Sequence, residues 1–173
     1  MGCDRVEQGR RRFAYVAGPP VASSIVRGTA IVRALTHAGL SPQNLGHYPG
    51  MNIDPASAPA FAAEVADNRP DALLCYDDKL ALVVMDALRT HGLHVPDDVA
   101  VTGFDDISFA RLANPRLTTV AQPAGEMGRR AVSMLLGAID TGVMQPSMRL
   151  PVQLMVRESS TSRRTARGRI RGD

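Results

Sequence analysis

The stretch Arg69–Ser108 constrains the fold of this 173-residue chain more than any other part of its sequence. It contains two short apolar runs, Ala72–Tyr76 and Val99–Thr102, on either side of one strongly periodic segment. The periodic segment repeats apolar side chains at helical spacing, whereas each apolar run has the length of a buried strand. Two strands joined by a helix form a right-handed βαβ unit with parallel strands. We therefore predict a parallel α/β core around this stretch.

Both apolar runs end in paired carboxylates, Asp77-Asp78 and Asp105-Asp106. Parallel strands bring their carboxyl ends to one edge of the sheet, and α/β sheets bind ligands there. Either Asp77 or Asp78 can cap the intervening helix by accepting a free backbone N–H, and Asp78 is the better candidate for a purely capping role. These positions predict a carboxylate-bearing rim where a ligand can bind.

The same alternation of strand and helix extends over most of the chain. Phe13–Ala17 and Leu45–Tyr48 are predicted strands, each followed by a helical segment, and Leu117–Gln122 is a further strand. Pro123–Asp140 is a predicted helix, and Arg149–Val156 alternates as a strand does. We expect the helix to bury one face, formed by Met127, Ala131, Met134, Leu135 and Ile139. Strands alternating with helices imply a parallel sheet covered on both faces.

The formal charge of +3 is unevenly distributed. Residues 163–173 hold five Arg and one Asp, a local charge of +4, which leaves about −1 for the rest of the chain. The net positive charge therefore lies in the C-terminal tail and gives no reason to predict a nucleic-acid-binding surface on the rest of the chain.

The cysteine count and the hydropathy pattern limit the cellular setting. Cys3 and Cys75 are too few for a disulfide framework or a zinc site. No apolar run approaches the roughly 18 residues that cross a bilayer, and the N-terminus lacks the apolar core of a signal peptide. We expect a cytoplasmic protein without membrane contact.

Motifs that signal enzymes are missing from the sequence. It holds no Gly-x-Ser-x-Gly, P-loop or Gly-x-Gly-x-x-Gly pattern. The four histidines are dispersed, and His91 and His94 near a predicted helix end have no third metal ligand nearby. We expect no catalytic residue, no metal site and no cofactor.

Four motifs, in this order and spacing, resemble the lactose/galactose repressor (LacI/GalR) family of bacterial transcription regulators. They are Arg10–Gly18, Val95–Asp106, Leu117–Pro123 followed by Met127-Gly128, and Leu150–Val152 with Val156–Ser160. The resemblance covers about residues 6–160. Together these motifs are highly specific, although the Gly-Phe-Asp-Asp tetrapeptide alone would be weak.

This resemblance implies a Rossmann-like α/β sheet, the C-terminal subdomain of a periplasmic-binding-protein-like (type I) core with a fragment of its N-terminal subdomain. Residues 1–121 would form the effector-binding subdomain, and 122–146 a helical remnant of the N-terminal subdomain. Residues 147–160 would return as a strand, and 161–173 would be a disordered basic tail. The helix-turn-helix and most of the N-terminal subdomain are missing from this sequence, so helix Pro123–Asp140 would lack its usual sheet partner.

The resemblance also implies a function. In intact family members an effector bound between two subdomains changes their angle and the spacing of two DNA-reading heads in a dimer. This chain would then be a ligand-sensing and dimerisation module of a repressor, with a sugar or nucleobase effector and helix Asp77–Thr90 as a candidate homodimer interface. Operator DNA would be reached only through the helix-turn-helix. The alternatives are a sugar-binding component of a transport system and a non-functional fragment.

Four residues match effector-contacting positions of the family. Asp105 matches a carboxylate that binds sugar hydroxyls or a purine, although it can also be a turn-forming Asp; Asp106 suits a structural role. Asp77 matches an Asn or Asp that contacts effector, with the helix N-cap as its alternative. Arg27 matches an effector-contacting Arg, or is a solvated helix Arg. Ser23 is a weaker candidate that can instead cap the same helix.

Overall fold

The computed structural model describes residues 10–41, 45–49 and 53–161, so Cys3 and residues 162–173 of the predicted tail lie outside it. The strands are β1 (Phe13–Ala17), β2 (Leu45–Pro49), β3 (Ala72–Cys75), β4 (Ala100–Thr102), β5 (Thr119–Ala121) and β6 (Gln153–Met155). The helices are α1 (Ala22–His37), α2 (Ala58–Asn68), α3 (Asp78–Thr90), α4 (Ser108–Leu112) and α5 (Ala124–Thr141), with a final 3₁₀ turn at Glu158–Ser160.

Four strands form one parallel sheet in the order β2-β1-β3-β4. In its register Phe13 of β1 lies beside Ala72 of β3, and Ala72 lies beside Ala100 of β4. The predicted parallel α/β core is thereby confirmed, including the unit β3-α3-β4. All four carboxyl ends meet at one edge of this sheet, which we call the rim.

Alternation along β1 divides the core into two layers. Phe13 and Tyr15 face α1, where Leu35 is fully buried, whereas Ala14 and Val16 face α2 and α3. Fully burying an aliphatic or aromatic side chain contributes about 1.5–3 kcal/mol, so both faces of the sheet are strongly covered. The apolar residues that α2 and α3 add to the second layer are Phe61, Val65, Ala81, Val84, Met85, Ala87 and Leu88.

The start of α1 differs from the expectation. The sequence offers either Ser23 or Ser24 as the N-cap of α1, but Val21 occupies that position without a side-chain cap. Both hydroxyls have other partners: the Ser24 Oγ lies 3.3 Å from the Tyr15 hydroxyl, and the Ser23 Oγ lies 2.9 Å from the Tyr76 hydroxyl. The prediction of a serine cap is therefore wrong, and Ser23 is turned toward the rim.

The last third of the described chain leaves the main sheet. Thr118, just before β5, forms a parallel bridge with Thr102 of β4, and β5 then pairs antiparallel with β6. Helix α5 lies between β5 and β6 and has no buried residue, so the prediction that it buries Met127, Leu135 and Ile139 is wrong. The periodic pattern gives α5 an apolar face, but a face is buried only where a partner covers it. The predicted strand Arg149–Val156 shortens to β6.

Within the described ranges, no helix combines the length and the apolar character that crossing a membrane requires.

Candidate functional site

Residues from the ends of β3 and β4 meet at the rim with residues from α1 and from the end of the neighbouring strand β5. Tyr76 follows β3, Phe104 and Asp105 follow β4, and Gln122 follows β5. Arg27 reaches the same place from the first part of α1. Because parallel strands share one carboxyl edge, residues far apart in sequence form one cluster there.

Arg27 is the centre of this cluster. Its guanidinium carbon lies 4.5 Å from the centre of the Tyr76 ring and 3.9 Å from the centre of the Phe104 ring. The guanidinium also donates a hydrogen bond to the Tyr76 carbonyl oxygen. Each cation–π contact is worth about 0.5–2 kcal/mol, depending on desolvation. The two rings and the carbonyl fix the plane of the guanidinium before any ligand arrives.

Asp105 lies beside Arg27, with 3.9 Å between its Oδ1 and the Arg27 Nη2. The same Oδ1 accepts a hydrogen bond of 2.5 Å from the Gln122 side-chain amide. Among the described residues nothing donates to Oδ2, although a carboxylate has about four lone-pair positions. The site therefore combines a fixed cation with a carboxylate that retains acceptor capacity for hydroxyl groups.

The backbone of Asp105 is held in an uncommon conformation. Its φ is +115°, and that of Asp106 is +53°, both in the region that L-residues rarely adopt. Such residues cost about 1–3 kcal/mol and need support from their surroundings. The Asp105 N–H donates to the Val120 carbonyl oxygen at 2.9 Å, which ties the loop to β5.

Ser23 joins the cluster through Tyr76, because its hydroxyl lies 2.9 Å from the Tyr76 hydroxyl. The ring of Tyr76 in turn lies over Gly18, where a Cβ atom would come within 2.2 Å of a ring carbon. A side chain at position 18 would thus displace the ring. Gly18, Ser23 and Tyr76 together form one wall of the site.

Asp77 has a different position. Its side chain accepts a hydrogen bond of 2.8 Å from the Leu80 N–H, so Asp77 is the N-cap of α3. Among the described residues it forms no hydrogen bond or ion pair with Arg27 or Asp105. The structure therefore brings Ser23, Arg27 and Asp105 together and leaves Asp77 at the helix terminus.

Asp78 is a buried connector, and the prediction that it has a purely capping role is wrong. Its Oδ2 accepts from the Ile107 N–H at 2.9 Å, and its Oδ1 accepts from the Thr119 hydroxyl at 2.5 Å. Burial raises the pKa of the Asp78 carboxyl, and the charges of Asp105 and Asp106 add to this effect. Asp78 thus ties α3 to β5 and to the loop that carries Asp105.

Three residues of the cluster did not follow from the sequence. Tyr76, at the end of an apolar run, could pack on a ligand, but its sequence position favours the core, and Phe104 and Gln122 stand out in the sequence only as parts of motifs. Each lies within two residues after the end of a strand, and Asp105 lies three residues after the end of β4. Position relative to the end of a strand is therefore the signal that identifies them.

Two cavities differ in their relation to this cluster. One of about 260 Å³ is lined by Arg27, Phe104 and apolar residues of α1, β3 and β5. Its volume lies just below the range of ligand pockets, which is about 300–1,000 Å³. A larger cavity of about 390 Å³ lies at the C-terminal end of α3, beside Arg89 and His94, and holds none of the cluster residues. Within the described ranges, no group of three or more His, Cys, Asp or Glu residues is placed to bind a metal ion.

A model of periplasmic binding protein-like domains matches residues 5–160. The chain belongs to this family. Its relatives are named as transcriptional regulators, which confirms the resemblance to the LacI type. The HTH-type transcriptional regulator CelR of Thermobifida fusca is 36% identical over 159 residues, which are 89% of this chain and 46% of CelR. The transcriptional repressor CytR of Escherichia coli is 33% identical over 135 residues, which are 75% of this chain and 39% of CytR. The chain thus spans less than half the length of these curated relatives.

Solved structures of the family agree with the fold. A complex of the regulator CelR with cellobiose superposes with a TM-score of 0.76 at 33% identity, over 91% of this chain and 49% of that one. A LacI-family regulator from Enterococcus faecium with bound ribose gives 0.81 at 25% identity, over 92% and 60%. A Lac repressor dimer bound to operator and an anti-inducer gives 0.79 at 26% identity, over 92% and 56%. The named relatives favour a regulator over a transport component.

Proposed function

We propose that this chain is the effector-sensing module of a LacI-type transcriptional repressor, and that its effector is a sugar or a nucleobase. One observation carries the proposal: Arg27, clamped between Tyr76 and Phe104, lies beside Asp105 at the rim. A fixed five-donor cation next to a carboxylate can bind the adjacent donors and acceptors of a polyol. The relatives with bound cellobiose and ribose support a sugar.

The proposed mechanism needs no bond-breaking chemistry. An effector shifts a conformational equilibrium by the difference of its affinities for two states. We infer that residues 1–121 and 147–160 form the effector subdomain, and that 122–146 belong to the second lobe of a longer regulator. Operator binding, and the cytoplasmic location that it requires, belong to that regulator, with the DNA contacts made by a helix-turn-helix outside this sequence.

Ligand-dependent stability tests the proposal. The test panel is cellobiose, ribose and a purine base. A panel member that binds, present at about 100 times its dissociation constant, stabilises the folded chain by about 2.7 kcal/mol. For a domain of this size that raises Tm by roughly 5–10 °C. We expect one ligand of this panel to stabilise the 173-residue chain and to lose its effect in Arg27→Met.

Arg33→Met is the matched control, because Arg33 is exposed on the same helix α1. It should keep the ligand-induced stabilisation. No stabilisation of the unsubstituted chain by any panel member, or equal stabilisation of Arg27→Met, would contradict a sensing role for the Arg27 cluster.

We further propose that the chain forms a homodimer through the side of the molecule that bears α3 and α4. Phe109 and Leu112 lie one turn apart on α4 and are 66% and 77% exposed. Exposed apolar pairs of this kind mark interaction surfaces when they lie close together. The Lac repressor relative is named as a dimer.

Light scattering should show a dimer that Leu112→Glu converts to a monomer, because a charge in an apolar interface is costly to desolvate. Leu136→Glu makes the same change at an exposed position of α5 and should leave the dimer intact. A dimer that survives Leu112→Glu, or that Leu136→Glu dissociates, would place the interface elsewhere.

A further inference from the structure

The tandem Asp105-Asp106 contacts both of the strands by which the chain leaves the main sheet and returns. Asp105 accepts a hydrogen bond from Gln122, the residue directly after β5. Asp106 accepts one from Arg157, two residues after β6. Because β5 and β6 pair antiparallel, Gln122 and Arg157 lie at opposite ends of this strand pair, and each is bound by one of the two adjacent carboxylates.

Arg157 has several partners that fix its position. Its Nη2 donates to the Asp106 Oδ1 at 2.6 Å, and its Nη1 donates to the Leu117 carbonyl oxygen at 2.8 Å. Its backbone N–H donates to the Thr118 hydroxyl oxygen at 2.7 Å. The side chain is only 11% exposed. Charge-assisted hydrogen bonds in such surroundings are strong and directional, so Arg157 and Asp106 move together.

Asp106 has a second cationic partner of a different kind. Arg111 of α4 lies 2.9 Å from the Asp106 Oδ2, but its side chain is 65% exposed and it lies only five residues along the chain. Arg111 therefore holds Asp106 within its own loop, whereas Arg157 ties Asp106 to the returning strand β6.

The loop needs external support because Asp105 and Asp106 both have positive φ. The two residues share a peptide bond, so a rotation of Asp106 also turns the backbone of Asp105. A displacement of β6 that moves Arg157 would therefore be transmitted to the carboxylate beside Arg27.

We propose that Arg157 is a positioning residue for the effector site, which makes the orientation of Asp105 depend on the position of β6. The inference rests on the proposed sensing function and adds the route by which the second lobe is coupled to the site. Coupling of this kind is reciprocal, so a ligand on Asp105 also biases the position of β6. Effector binding is thus linked to the positions of β5 and β6 through Asp105 and Asp106.

Nuclear magnetic resonance of the 173-residue chain tests the coupling without any ligand. Arg157→Gln should shift the Asp105 amide signal and the Arg27 Nε–Hε signal. Arg111→Gln removes the other cation from Asp106 and should leave both signals in place. Burial works to raise the pKa of Asp106, but the hydrogen bonds from Arg157 and Arg111 outweigh it and lower the pKa. Both variants should therefore raise the pKa of Asp106, and this rise verifies that the substituted arginine no longer bonds to the carboxylate.

A binding measurement provides the functional readout. With whichever of cellobiose, ribose or the purine base stabilises the chain, Arg157→Gln should weaken binding about tenfold, which corresponds to about 1.4 kcal/mol, whereas Arg111→Gln should change it much less. If Arg157→Gln does not fold, Arg157→Lys decides, because it keeps the charge but lacks the planar pair of nitrogens with which Arg157 bonds Leu117 and Asp106. We expect Arg157→Lys to shift the same two signals.

Two outcomes would overturn the coupling. One is an Arg157 variant that raises the pKa of Asp106 yet leaves the Asp105 and Arg27 signals unchanged, since Arg157 would then only fasten the chain end. The other is an equal effect of the Arg111 and Arg157 variants. Failure of the unsubstituted chain to bind cellobiose, ribose and the purine base contradicts the sensing proposal instead, and the ligand-free signals still decide the coupling.

Discussion

Replacing Asp105 with alanine should abolish ligand binding while leaving the melting temperature nearly unchanged. Hydrogen bonds to a charged group are worth about 1.5–3 kcal/mol each. A ligand that donates two hydroxyls to this carboxylate would lose about 100-fold or more in affinity. The fold should tolerate the change because the loop keeps the Asp105 backbone bond to Val120 and the Asp106 bond to Arg157.

Titration calorimetry with the stabilising ligand of the panel measures this effect. Asp67→Ala is the matched control, because Asp67 is an exposed residue near the end of α2, and α2 ends where β3 begins, at the edge opposite the rim. It should bind as the unsubstituted chain does. If Asp105→Ala instead lowers the melting temperature strongly and keeps its affinity, Asp105 is a turn-forming residue and the ligand lies elsewhere.

Gly103→Ala should cost about 3 kcal/mol of unfolding free energy, which lies at the upper end of the usual penalty for overpacking. An added Cβ would lie 2.1 Å from the Asp78 Oδ1 and 3.0 Å from the Asp78 Cα. Asp78 cannot retreat freely, because Ile107 and Thr119 both bond to its carboxylate. The first turn of α3 or the end of β4 must therefore shift.

Urea denaturation measures the loss, and Gly128→Ala is a control with the opposite expected sign. Gly128 lies inside α5, and nothing stands within 4 Å of a Cβ added there. Alanine should stabilise that helix by about 0.5–1 kcal/mol relative to glycine. An unchanged midpoint for Gly103→Ala would mean that α3 and β4 can separate at the rim without loss of stability.

The fold followed from the sequence where local pattern and burial agree. The two apolar runs and the periodic segment between them became β3, α3 and β4. Gly92, two residues after α3, has the positive φ (+78°) that commonly follows a helix C-terminus. Short elements were less visible, since α4 has only five residues and offers no full period of side chains.

Side-chain partners were harder to predict than elements. Asp77 and Asp78 are equally good caps by residue type, and only the approach of Thr119 and Ile107 decides that Asp78 is buried while Asp77 caps α3. The sequence likewise placed Arg27 and Asp105 at the site, but the contacts of Arg27 with the rings of Tyr76 and Phe104, which follow β3 and β4, were not predicted. Such contacts depend on tertiary distances that a linear pattern does not contain.

The wall formed by Tyr76 gives the molecule a built-in optical probe. The sequence has no tryptophan and three tyrosines. Tyr15 and Tyr48 are buried in the two core layers, whereas Tyr76 is partly exposed and touches Ser23 and Arg27. Its emission is therefore sensitive to what occupies the rim. An indole introduced at Phe104 would be the sole tryptophan, stacked on the guanidinium of Arg27, and its fluorescence could follow ligand arrival in real time without a dye.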